Sequence, residues 1–69
     1  MENEFNNLLD EKSAISIVMQ IYGGKFVRRL GEVLERADVE SAARIKATYP
    51  DAWAHYREMV LLMAARGEL

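Results

Sequence analysis

The sequence predicts an all-α fold, a small bundle of three to four short helices, and three observations carry that prediction. Apolar residues recur at helical spacing through the middle of the chain. Helix start and stop residues punctuate it at Asp38, Pro50 and Gly67. Only one short stretch alternates as a strand would, and no second one follows for it to pair with.

Size and composition set the frame. With 69 residues the chain holds one domain at most. Residues 1–12 read as an N-terminal arm or frayed first turn, and residues 13–69 as a single helical domain. An apolar content of 51% is too high for an intrinsically disordered chain. So small a core is marginal, and domains of this size commonly lean on disulfides, a metal or oligomerisation. Cysteine is absent, which removes disulfides, thiolate ligands and a thiol nucleophile. One histidine makes a poor start for a structural zinc site. Tight helix packing or self-association is left.

Each element follows from local pattern. The opening MENEFNNLLDEK is polar, with Phe5, Leu8 and Leu9 embedded in it. Residues 14–22, AISIVMQIY, satisfy two templates. Ile15, Val18, Met19 and Tyr22 have helical spacing, whereas Ile15, Ile17, Met19 and Ile21 alternate. A lone strand leaves its backbone groups unpaired, so helix is favoured, with a strand paired across a dimer as the alternative.

Residues 24–37 carry the clearest helical pattern. Phe26, Val27, Leu30, Val33, Leu34 and Ala37 share one face, and Lys25, Arg28, Arg29, Glu32, Glu35 and Arg36 share the other. Gly31 borders the apolar stripe, and glycine inside a helix predicts close approach by a neighbour. Asp38 stands as an N-cap for a short helix to about Thr48, with Ala42, Ile45 and Tyr49 as its stripe. Pro50 and Asp51 suit the first turn of a last helix that runs to about Arg66, with Gly67 as its C′ residue. Trp53, Tyr56, Val60, Met63 and Ala64 form that helix's stripe, and Leu61 and Leu62 are surplus apolar surface.

The net charge of −2 gives no general attraction to nucleic acid or acidic membranes. The acidic start is unlike a secretory or mitochondrial signal. The longest apolar run, MVLLMAA, is far short of the roughly 20 residues needed to span a bilayer. A soluble, cytoplasmic protein with no membrane contact is expected.

Candidate motifs mostly resolve into architecture. YGGK at residues 22–25 lacks the spacing of a phosphate loop, G-x-x-x-x-G-K-S/T, and no parallel sheet is available to carry one. It reads as a joint between helices. Lys25, Arg28, Arg29 and Arg36 form a candidate partner-binding face, although Glu32 and Glu35 interrupt it and Glu32–Arg36 is a favourable i,i+4 pair. Asp51, His55 and Glu58 could approach one another on the last helix, but they read as solvated charge. They also lack the pocket and oriented nucleophile that catalysis needs. Trp53, Tyr56 and Tyr22 read as core. Leu61 and Leu62 are the candidate oligomer contact, or are covered by the arm.

Together, YGGKFVRRLGEVLERAD, ARIKATYP and AWAHYREM resemble a group of small phage and prophage proteins of uncharacterised function. That group carries Y/H-G-G-x-F-V-x-x-L, an A-D turn, an aromatic-Pro step and a Trp or Tyr pair. The resemblance covers about residues 22–59 and implies a phage or mobile-element setting in a bacterial host. It assigns no catalytic or ligand-binding residue.

The functional expectation is a small, non-enzymatic protein-interaction module without a cofactor. It would bind a phage or host protein and self-associate, most simply as a dimer. The alternative is a nucleic-acid-associated accessory protein that uses the basic helix face.

Overall fold

A computed structural model describes residues 8–68 of the chain. Four helices follow in order: α1 (Leu8–Tyr22), α2 (Lys25–Arg36), α3 (Val39–Thr48) and α4 (Pro50–Ala65). The expected all-α bundle is present, and no strand occurs among the described residues. Residues 14–22 lie within α1, which overturns the intersubunit strand. A helix pairs its backbone groups internally and needs no second chain to do so.

Residues 8–12, read above as part of an arm or frayed first turn, lie within α1. Asp10 and Glu11 suit the positive end of a helix there. Leu8 packs against the core, whereas Leu9 is exposed. Phe5 lies outside the described residues.

The core comprises Ile15, Val18 and Met19 of α1, Leu30 and Leu34 of α2, Ala42 of α3, and Trp53 and Val60 of α4. α1 packs against each of the other three helices, most extensively against α2. Tyr22, placed in the α1 stripe by its spacing, is exposed at the end of the helix.

α2 is rotated from the face its apolar residues suggest. Phe26 and Val33 are 60% and 58% exposed, while Gly31 joins Leu30 and Leu34 among the buried residues. The cause is contact with α1. A Cβ on Gly31 would stand 2.8 Å from Met19 Cβ and 3.0 Å from the Ser16 carbonyl oxygen. Turning the bare glycine toward α1 brings the helices together and leaves Phe26 and Val33 at the opposite edge of the stripe.

The joint between α1 and α2 is a helix break, as expected, but not through left-handed backbone. Gly23 donates to the Met19 carbonyl at 2.9 Å, and a Cβ on it would meet that oxygen and Val27 Cγ1 at 2.5 Å. Gly23 is needed for space. Gly24, at φ −74°, has nothing within 4 Å of a Cβ position.

The remaining punctuation stands where the residues indicated. The Asp38 carboxylate accepts from the Ser41 amide at 2.8 Å, capping α3. Pro50 opens α4. At its other end Gly67 has φ 75°, its amide donates to Ala64 O at 3.0 Å, and Glu68 donates to Met63 O at 2.8 Å. That pair of bonds is a Schellman motif, which satisfies carbonyls the helix end would otherwise leave open. In α4, Trp53 and Val60 are buried and Tyr56, Met59 and Met63 pack against the core, but Ala64 is exposed.

Candidate interaction surfaces

Three groups of side chains stand out on this frame. The first is the outer side of α2. Lys25, Arg28 and Arg29 border one shallow depression together with Glu32. Arg29 Nη1 lies 3.4 Å from Glu32 Oε1, an exposed pair one helical turn apart. Arg36 donates instead to the Glu32 backbone carbonyl, at 3.4 Å. The expected Glu32–Arg36 carboxylate pair is therefore replaced by Arg29–Glu32. Exposed pairs of this kind contribute little stability, so the arginines are held only lightly. Glu35 turns the other way and accepts from Gln20 Nε2 at 3.0 Å.

Beside this basic side lies an apolar edge. The rings of Phe26 and Tyr49 stand 5.6 Å apart, tilted by 60°, and both residues are exposed. Val33 falls seven residues after Phe26, on the same side of α2, and Arg29 falls between that line and Lys25. α2 thus offers exposed aromatic and aliphatic surface flanked by cations.

The second group lies on α4. His55, Glu58, Met59, Leu62, Met63 and Arg66 line an apolar trough along the helix. Tyr22 and Glu68 extend it past Met59, Met63 and Arg66. Leu62 is 48% exposed and lies in the trough, whereas Leu61 is only half-exposed and does not line it. The two leucines are separated by the turn of the helix. Glu58 and His55 point to the trough with Leu62, and among the described residues no three carboxylate or imidazole groups come together as metal ligands would.

The third group was not visible as a group in the sequence. The Glu11 carboxylate, nearly buried, accepts from Arg57 Nε at 2.6 Å, Trp53 Nε1 at 3.1 Å and Lys46 Nζ at 3.2 Å. Burial pushes the Glu11 carboxyl up, but the hydrogen bonds from Arg57, Lys46 and Trp53, with the charge of Lys46, hold it below the usual range. Lys46 Nζ also sits 5.6 Å from the centre of the Trp53 ring. One carboxylate ties α1 to α3 and α4. On the next residue, Lys12 Nζ donates to the Glu35 carbonyl at 2.6 Å, at the C-terminal end of α2. That places a cation where the helix dipole favours one. The available signal was spacing: Glu11 continues the buried line of Ile15, Val18 and Met19 at i, i+4, i+7 and i+8.

No described helix is long and apolar enough to cross a membrane. Comparison with protein-family models, curated proteins and solved structures gives no match to this chain.

Proposed function

We propose that the protein is a small, non-enzymatic protein-interaction module of phage or mobile-element type, which binds a phage or host protein and self-associates. The observation that supports this reading is the outer edge of α2. There the exposed Phe26–Tyr49 pair and Val33 stand beside Arg29, which shares a depression with Lys25 and Arg28. Exposed apolar surface rimmed by charge is the usual composition of a partner-binding patch. Aromatic and arginine side chains are also the residues that most often dominate binding energy.

The same cations keep a nucleic-acid reading in play, since Lys25, Arg28 and Arg29 share one depression. Against it stand the net charge of −2 and Glu32 in the middle of the group. A gel shift over a salt series separates the two readings, because phosphate contacts weaken steeply as salt rises. Affinity capture from host lysate should yield a partner that is lost with Phe26→Ser and with Lys25→Glu/Arg29→Glu. A salt-sensitive shift with intact protein capture by both variants would replace the proposal with the nucleic-acid reading.

A further inference from the structure

The trough on α4 has a charge arrangement that matches itself. Glu58, Leu62 and Arg66 recur every four residues along one side of the helix, and all three border the trough. Leu62 is thus flanked by an acid one turn before it and a base one turn after it. Met59 lies on the same side, with Met63 at its border.

We infer that this face pairs with the same face of a second copy, antiparallel, about a two-fold axis at Leu62. The inference rests on the self-association reading above and specifies its surface and register. In an antiparallel pair centred on position 62, residue 58 of one subunit faces residue 66 of the other, because each lies four residues from the axis. Glu58 then meets the partner's Arg66, and Arg66 meets the partner's Glu58. Leu62 meets Leu62 at the centre. A two-fold interface must be self-complementary in this way, since each patch is its own partner.

Other registers lose this match. Sliding the helices so that Met59 opposes Leu62 places Arg66 against His55 and Glu58 against Met63. A parallel arrangement places Glu58 against Glu58 and Arg66 against Arg66. Like charges brought together oppose association and opposite charges set its register. Arg66 is available for the exchange: its only close carboxylate among the described ion pairs, Glu68, stands 4.0 Å away, and the arginine side chain is largely exposed. Leu62, Met59 and Met63 supply the apolar centre, and methionine adapts readily to a facing surface.

Sedimentation equilibrium of the full chain and its variants, with circular dichroism to check helicity, tests the inference. The wild type is expected to be a dimer at micromolar concentration, and Leu62→Glu a helical monomer. Glu58→Arg and Arg66→Glu should each dissociate about tenfold more readily, because each sets like charges against one another. The double variant Glu58→Arg/Arg66→Glu should recover the wild-type dimer. Mixing the two single variants should give a heterodimer, since their charges then complement across the axis. A wild-type monomer overturns both this inference and the self-association reading; if Leu62→Glu then destabilises the monomer only when residues 1–7 are present, the arm is the occupant. A wild-type dimer indifferent to Leu62→Glu keeps self-association and overturns this face. A dimer that needs Leu62 but shows neither recovery nor heterodimer overturns the antiparallel register.

Discussion

The Glu11 carboxylate accepts a 3.1 Å hydrogen bond from the indole Nε1 of Trp53, 42 residues further along the chain. A large apolar side chain with one polar atom can be buried only where that atom finds a partner. Glu11 provides it, and the cations of Lys46 and Arg57 in turn offset the burial of the acid. Three helices are thereby fixed in register around one oxygen pair.

Removing that acceptor should therefore weaken the fold as a whole. Glu11→Ala leaves the Trp53 donor buried without a partner, while Lys46 and Arg57 are exposed enough to turn to water. The expected loss is about 1–3 kcal/mol. Glu11→Gln keeps an acceptor but loses the charge, and should fall between wild type and Glu11→Ala. Urea unfolding followed by Trp53 fluorescence measures both. Equal stability of all three proteins would show that the indole does not depend on Glu11.

The same carboxylate makes stability depend on pH with a definite sign. Its folded pKa lies below its ordinary value, so the folded state favours the ionised form. That contribution is fully present above the unfolded pKa of about 4.3 and is lost as pH falls through the lower folded value. Asp38 acts in the same direction, held down by its backbone bond with Ser41. The stability difference between wild type and Glu11→Gln should be constant near neutrality and shrink below about pH 4.3. Melting curves of the two proteins between neutral pH and pH 3 give the comparison. A gap that does not narrow would mean the acid is not favoured in its ionised form.

Burial on α2 gives a contrast between neighbours in sequence. Leu34 is completely buried, while Val33 is 58% exposed. Leu34→Ala should cost about 2–4 kcal/mol, a large share of the stability of so small a domain. Val33→Ser should change it by less than about 0.5 kcal/mol. Chemical denaturation of each variant decides the matter. Comparable losses would mean that α2 is turned toward the core by its Phe26–Val33 edge.

Much of this architecture was legible in the sequence, and the misses have two causes. Asp38 acts through a carboxylate that caps an amide three residues on, and Pro50 and Gly67 through their own backbone angles, so their roles could be read locally. The helix at 24–37 was legible from its spacing, but its rotation was not, because Gly31 contributes no side chain to a hydrophobic pattern and yet decides which arc meets α1. Glu11 was hidden for the opposite reason. A charged residue near a chain terminus reads as solvent-facing, and only Lys46, Arg57 and Trp53, all more than 30 positions away, make it a buried one. Of the candidate surface residues, Lys25, Arg28 and Arg29 border one depression and Arg36 does not, while Leu62 lines the trough on α4 and Leu61 does not.

The glycines give a final prediction in which local and tertiary preferences oppose each other. By helix propensity alone, Gly31→Ala should stabilise α2 by about 1 kcal/mol. The added Cβ would, however, stand 2.8 Å from Met19 Cβ and 3.0 Å from both Gln20 Cγ and the Ser16 carbonyl oxygen. Gln20 can rotate away, but a carbonyl inside α1 and a β-carbon cannot. Relief requires α1 and α2 to separate, and forcing extra volume into such a contact costs about 1–3 kcal/mol. The tertiary term should win, leaving Gly31→Ala less stable than wild type. Gly24→Ser is the counterpart: the site is open, its φ of −74° suits any residue, and α2 lacks a side-chain cap there. A serine at that position should add a few tenths of a kcal/mol by accepting from a first-turn amide. Thermal melts should move in opposite directions for the two variants. A gain in stability for Gly31→Ala would show that α1 and α2 do not rely on the missing side chain to approach.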